Sequence, residues 1–256
     1  MRLRPEHSVK VRGKEIGGAL PLICLPVVAN NRIDLISQIE ELLPLSPDLL
    51  EWRIDGFEDI DPIEKSLQAL SDLRTAIGDI PLIVTCRVDL EGGIRTISRD
   101  KRLELTAAFI RTGLADIVDI ELINDQAFLK TILDAADRHG VKTMLSFHDF
   151  EKTPDEAAIL DRLIRAQDLG AHIAKAAVMP GTHQDVLILL NTALKARTGA
   201  LRIPMAAISM GEIGVVTRIA GGLFGSDITF ALGRSATAPG QVSIGDLRQA
   251  MSVLYR

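Results

Sequence analysis

The chain has 256 residues, 47% of them hydrophobic and 25% charged, with a formal net charge of −5. These are ordinary globular proportions, sufficient for two modest domains or one α/β barrel. The negative balance and the lack of a long basic run speak against a nucleic-acid surface, while leaving room for arginine clusters that bind a small anion.

In chain order, the opening MRLRPEHSVKVRGKEIGG lacks the apolar stretch of a signal peptide. No later segment approaches bilayer-spanning length, so no membrane partner is expected. Residues 8–18 read as a β-hairpin. Short apolar runs then recur as predicted strands at 20–28, 49–53, 81–87, 116–122, 141–148, 171–179, 203–209 and 228–233. Between them lie stretches with helical spacing, such as RIDLISQIEELL at 32–43 and DQAFLKTILDAADRHG at 125–140. The latter ends in His139 and Gly140, a cation followed by a C′ glycine. TPDEAAILDRLIRAQDLG, at 153–170, predicts Thr153 as N-cap with Pro154 at the first helical position, and Gly170 closes the segment. Cys24 and Cys86 lie inside apolar runs without metal-type spacing, which predicts reduced core residues and a cytoplasmic protein.

Strands alternating with helices eight times over this length are the pattern of a (β/α)8 barrel. The competing doubly wound sheet normally shows a Gly-rich nucleotide loop after an early strand, and none is present. No linker or composition step divides the chain, so a single barrel domain over 1–256 is expected, with the 8–18 hairpin closing its bottom.

Catalytic groups of such barrels sit at the C-terminal strand ends. There the sequence places Glu51, Arg53 and Asp55; Arg87 followed by Glu91; Asp119 and Glu121; Ser146 and His148; and Lys175. Side chains alternate across a strand, so Glu51 shares a face with Arg53, Asp119 with Glu121, and Ser146 with His148. Lys175 is the most informative of these. A lysine inside AHIAKAAVM is either ion-paired or an amine that desolvation turns into a nucleophile. His148 on the neighbouring strand end supplies a base for the acidic C–H that an imine creates. Asp119 and Glu121 read as structural groups holding an Arg or Lys in the barrel layer. Glu51 and Arg53 fit an interior ion pair as well as a ligand contact. His7, His139, His172 and His183 read as ordinary polar residues.

LLEWRID, CRVDLEGG, SFHDF, KAAVMP, SMGEIGVVTRIAGGLFGS and TAPGQ, in this order, resemble type I 3-dehydroquinate dehydratase, the third enzyme of the shikimate pathway. The resemblance runs from about residue 20 to the end. It implies a lyase that converts 3-dehydroquinate to 3-dehydroshikimate on the way to chorismate, without cofactor or metal, as a homodimer. Lys175 then corresponds to the imine-forming lysine. His148 corresponds to the group that takes the C2 proton and assists departure of the C1 hydroxyl, and Glu91 to the carboxylate that orients it. Arg218 matches the carboxylate-binding arginine. Thr237 and Gln241 match the loop over the substrate, with Gly240 a possible hinge. Glu51, Arg53 and Arg87 match the groups that hold ring hydroxyls. The chain departs from some members at Thr237, where they carry Ser; at Cys24, where they carry a small hydroxyl residue; at Ile208, where they carry Met; and in SMGEIG. Two rivals remain: a class I aldolase, disfavoured because GGLFGS lies too late to bind phosphate after the seventh strand, and a ligand-binding barrel without turnover.

Overall fold

The computed structural model describes residues 2–233 and 235–255. Val9–Val11 (β1) and Lys14–Ile16 (β2) pair antiparallel, Val9 opposite Ile16. They turn at Arg12 and Gly13, with φ of 42° and 77°. Positive φ at both central residues gives a turn whose twist matches the strands it joins. The hairpin is shorter at both ends than 8–18.

The rest of the chain alternates. Its elements are β3 (Leu22–Val27), α1 (Arg32–Leu42), β4 (Leu49–Arg53), α2 (Ile63–Ile77), β5 (Leu82–Thr85), α3 (Arg99–Thr112), β6 (Ile117–Glu121), α4 (Gln126–His139), β7 (Lys142–Asp149), α5 (Glu156–Asp168), β8 (Ile173–Val178), α6 (His183–Thr198), β9 (Met205–Ser209), α7 (Val215–Ala220), β10 (Ile228–Phe230) and α8 (Ile244–Leu254). Among the described residues, eight strands pair in one parallel sheet, in the order β10-β3-β4-β5-β6-β7-β8-β9. The last gap, between β9 and β10, closes through individual bonds. Asp227 N–H donates to the Met205 carbonyl (2.6 Å), Met205 N–H to Asp227 Oδ2 (2.8 Å), and Ala207 N–H to Ser226 Oγ (3.1 Å). Arg197 (2.7 Å) and Arg2 hold the Asp227 carboxylate in turn. The architecture is the (β/α)8 barrel that the alternation predicts.

Local boundaries differ from expectation for identifiable reasons. The third barrel strand stops at Thr85, not 87, because the Arg87 N–H donates to the Asp55 carboxylate (3.2 Å) instead of continuing the ladder. The last strand stops at Phe230, not 233. Leu232 then bridges to Ser243, and Leu232 N–H donates to the Val242 carbonyl (2.7 Å). Asp155, not Thr153, caps α5: its side chain accepts from Ala158 N–H (2.8 Å). The Thr153 hydroxyl donates instead to the Met179 carbonyl (3.0 Å), which leaves Pro154 outside the helix. Gly140 does end α4 in the left-handed region.

Strand parity divides the interior. Outward residues such as Leu50, Trp52, Val118 and Leu145 pack under the helices. Inward residues form a stack that changes character with height. At the N-terminal end Cys24, Leu49, Ile83, Ile117, Met144, Ile173 and Ile228 meet Val9, Val11 and Ile16 of the hairpin. The hairpin therefore plugs the bottom of the barrel. Each such buried aliphatic side chain contributes roughly 1.5–3 kcal/mol, and this dry plug is the floor on which the charged layers above are built. Cys24 and Cys86 are buried and free. Among the described residues, no helix is long and apolar enough to cross a membrane.

Candidate active site

Two residues further along five of the strands, the inward positions become polar: Glu51 on β4, Thr85 on β5, Asp119 on β6, Ser146 on β7 and Lys175 on β8. One pleat higher come Arg53, Arg87, Glu121 and His148. A pocket of about 490 Å³, including its open mouth, lies over these layers. It is lined by Glu51, Arg53, Arg87, Glu91, His148, Phe150, Lys175, Ala177, Ile208, Met210, Arg218, Phe230, Thr237, Ala238 and Gln241. Every residue that the resemblance assigns to the site is on that wall.

Lys175 pairs in register with Ser146, and His148 with Ala177, so the two functional side chains are diagonal neighbours on adjacent strands. Lys175 Nζ donates to Asp119 Oδ2 (2.8 Å), lies 3.8 Å from Glu51 Oε1, and sits 4.5 Å above the Phe230 ring. Lys175 is therefore ion-paired, and it faces the pocket. Arg87 organises its counter-charges. Nη1 donates to Glu121 (2.8 Å) and the Ser146 hydroxyl (2.8 Å), and Nη2 to Asp119 Oδ2 (2.7 Å). Burial alone would raise the Asp119 carboxyl, but Arg87 and Lys175 outweigh it and hold the group well below the usual carboxylate range. Asp119 and Glu121 are thus the barrel-layer anchors expected of them. Glu51 and Arg53 do not form the interior pair considered for them. Glu51 accepts from the Thr85 hydroxyl (2.7 Å), and Arg53 makes a two-pronged bond to Asp55 (2.9 and 2.7 Å).

Glu91 lies on a 3-10 turn, Asp89–Glu91, that follows β5. Its Oε2 accepts from the His148 backbone N–H (2.8 Å) and from Nδ1 (3.0 Å). We assign the imidazole proton to Nδ1 from that pattern, which leaves the Nε2 lone pair free. Burial, then Arg87 and Lys175, pushes His148 well below its ordinary value, so the imidazole is uncharged near neutral pH. Burial also pushes Glu91 up to about 8. Phe150 stacks beside the imidazole, with ring centroids 6.5 Å apart.

Across the pocket, Arg218 on α7 is only 2% exposed. Its Nη1 and Nη2 donate to the carbonyls of Phe230 (3.2 Å) and Pro239 (2.9 Å), and its Nε has no partner. No carboxylate among the described residues pairs with it, and burial lowers the guanidinium to about 10. A buried cation with only neutral partners is destabilising by several kcal/mol (roughly), a deficit that a bound anion offsets. The loop carrying Thr237 and Gln241 is folded on itself: Gln241 Oε1 accepts from Thr237 N–H (2.8 Å). At Gly240 the expected hinge is a close contact in this structure. Gly211 N–H donates to the Pro239 carbonyl (3.2 Å), and a Cβ on Gly240, at φ +73°, would lie 2.1 Å from the Gly211 carbonyl oxygen.

Phe150, Ala177, Met210, Phe230 and Ala238 complete the wall without having been singled out from the sequence. The parity of β8, β9 and β10 carries a signal for Ala177, Met210 and Phe230, because they continue the inward series of Lys175, Ile208 and Ile228. His172 and His139 stay outside the pocket, as expected; His172 Nδ1 accepts from Thr143 N–H (3.2 Å).

The sequence profile of the type I 3-dehydroquinase family matches residues 23–256. A 3-dehydroquinate dehydratase of Bacillus licheniformis is 41% identical over 248 residues, covering 97% of this chain and 98% of that one. The crystal structure of 3-dehydroquinate dehydratase from Geobacillus kaustophilus HTA426 superposes with a TM-score of 0.96 at 39% identity, covering 99% of this chain and 98% of that one. The type I enzyme of Clostridium difficile, solved with covalently modified comenic acid, gives a TM-score of 0.94 at 38% identity, covering 97% and 98%. Fold, pocket and sequence agree: the chain belongs to the type I 3-dehydroquinase family.

Proposed function

We propose that this protein dehydrates 3-dehydroquinate to 3-dehydroshikimate through an imine on Lys175, with His148 as the acid and base. The carrying observation is the layout of the pocket. A lysine and an imidazole meet on adjacent strand ends, opposite a buried arginine that has no carboxylate partner among the described residues. Arg218 then receives the substrate carboxylate, for which its planar fork of donors is suited. That anchors the ring with its C3 ketone at Lys175. Nitrogen adds to the carbonyl, and loss of water gives a protonated imine. His148 Nε2 takes a C2 proton, and the C–H electron pair moves into the C2–C3 bond to give an enamine. The enamine expels the C1 hydroxyl, which leaves as water with the proton His148 holds. Hydrolysis of the imine releases the enone and restores the amine. The iminium nitrogen is the electron sink, so no step requires a metal.

Glu91 orients His148 through Nδ1. Glu51, Arg53 and Arg87 offer polar atoms to the ring hydroxyls, although Arg53 and Arg87 are already heavily engaged with Asp55, Asp119 and Glu121. Thr237 and Gln241 cover the bound ring, and exclusion of water strengthens the charge contacts inside. That the C. difficile relative was solved with covalently modified comenic acid supports covalent chemistry as part of this reading. Assembly as a homodimer through the outer helices and residence in the cytoplasm belong to the same reading; sedimentation velocity tests the first. The function is tested by following the ultraviolet absorbance of the conjugated enone with 3-dehydroquinate as substrate. We expect turnover that a chelator leaves unchanged. No absorbance rise, or aldehyde release in its place, contradicts the proposal.

A further inference from the structure

Asp119 is completely buried and bonded by two cations, yet the reaction sequence above gives it no role. Its Oδ2 accepts from Lys175 Nζ (2.8 Å) and from Arg87 Nη2 (2.7 Å). We infer that Asp119 is the counter-ion of the protonated imine: a carboxylate fixed against the reacting nitrogen, which holds the proton on that nitrogen before the C2 proton is removed and again after the C1 hydroxyl leaves, the enamine between them being neutral at nitrogen. The inference rests on the Lys175 imine reading.

The charge balance supports this assignment. An ammonium and a ketone give an iminium and water, so the nitrogen carries one positive charge before and after the exchange. Between the two states it sheds a proton to become the nucleophile, and the departing hydroxyl takes one up. His148, uncharged and with a free Nε2, can carry that proton. Asp119 cannot do so readily, because Arg87 holds it ionised. A carboxylate that stays ionised faces the nitrogen as a constant negative charge. Placed within about 4–6 Å, such a charge raises the pKa of a cationic partner by about 1–3 units.

The other ionisable groups facing Nζ are Glu51 on β4, Arg87 just beyond β5, His148 on β7 and Cys24 on β3, the last below it in the stack. β9 and β10 present Ala206 and Phe230 there, neither ionisable. Glu51 stands at 3.8 Å against 2.8 Å for Asp119. The Phe230 ring face adds a second, uncharged source of cation stabilisation. Asp119 is therefore the nearer of the two negative charges, and Arg87 fixes its position from the far side.

Asp119→Asn is nearly isosteric, and Arg87 keeps Glu121 and Ser146 as partners, so the variant removes the charge without orphaning the guanidinium. Cyanoborohydride reduces the protonated imine selectively, so trapping on Lys175 in the presence of 3-dehydroquinate reports the cationic species across pH. The expected result is an alkaline limb, for both kcat and trapping, displaced by about 1–2 pH units towards acid, with trapping at pH 8 reduced roughly tenfold. Asp119→Glu retains the charge and keeps the limb near the wild-type position. A uniform loss of rate with an unmoved limb is what a merely structural role predicts, and it overturns the inference. If Asp119→Asn does not fold, nitrogen-15 NMR of the wild-type product adduct, labelled at the lysine Nζ, decides the matter. A protonated imine through about pH 9 supports the counter-ion, and a neutral imine at pH 7 overturns it. Absence of any wild-type adduct on Lys175 removes the imine reading and this inference with it.

Discussion

Lys175 forms the covalent bond and His148 moves protons, so their variants separate. Lys175→Ala is expected to lose turnover and trapping together. His148→Ala retains the amine and accumulates trappable imine while turnover falls by about 10²–10⁴-fold, the range for a lost acid–base group; absence of the trapped species from that variant contradicts the division of labour. Glu91 carries a linked prediction for stability. Its carboxyl titrates near its ordinary value in the unfolded chain and at about 8 in the fold. Between those values the folded protein binds more protons, so stability falls as pH rises, and the full penalty stands above pH 8. Glu91→Gln keeps an oxygen acceptor for His148 and removes the charge. It should raise Tm by about 4–8 °C at pH 9, on the order of 2 kcal/mol at 2–4 °C per kcal/mol, and leave it unchanged near pH 4. An equal gain at both pH values contradicts the burial cause. At this scale the sequence was legible wherever a charge interrupts an apolar strand, as at Lys175 and Asp119. It was mute about partners: that Arg53 bonds Asp55 and not Glu51, or that Arg218 meets no carboxylate among the described residues, depends on side-chain directions that spacing does not fix.

Elements were legible through their period, and their ends were not. Every predicted barrel strand is present, because inward and outward residues both have packing partners and the run length marks the strand. The ends slip where a side chain competes with the backbone. Asp55 takes the Arg87 N–H, and Asp155 takes the cap from Thr153. Asp155→Ala therefore costs about 1 kcal/mol by thermal or urea melting, whereas Thr153→Ala costs less, because the hydroxyl it removes bonds only the Met179 carbonyl. Gly240→Ala places a methyl group into the Gly211 backbone and must displace the covering loop. KM is expected to rise roughly tenfold, with a Tm change below about 2 °C, since the loop lies outside the core. Unchanged KM shows that this close approach does not matter for binding.

On the scale of the whole molecule, the barrel separates a dry floor from a charged mouth. Ile16 of the hairpin is fully buried against the lowest strand layer. Ile16→Ala should cost about 2–5 kcal/mol, lowering Tm while kcat of the remaining folded protein stays near wild type; a comparable fall in kcat indicates that the plug and the site are coupled. The ring itself could be anticipated by counting strands. Its closure between β9 and β10 through Asp227 and Ser226 could not, because there no ladder exists to leave a pattern. What the whole architecture delivers is the Lys175 amine at the base of a pocket whose opposite wall holds Arg218, which no carboxylate among the described residues neutralises. The most direct measurement is reduction with borohydride in the presence of 3-dehydroquinate, followed by peptide mass mapping. The account predicts inactivation with one stable adduct, on Lys175. An adduct on a different lysine, or full activity with none, contradicts it.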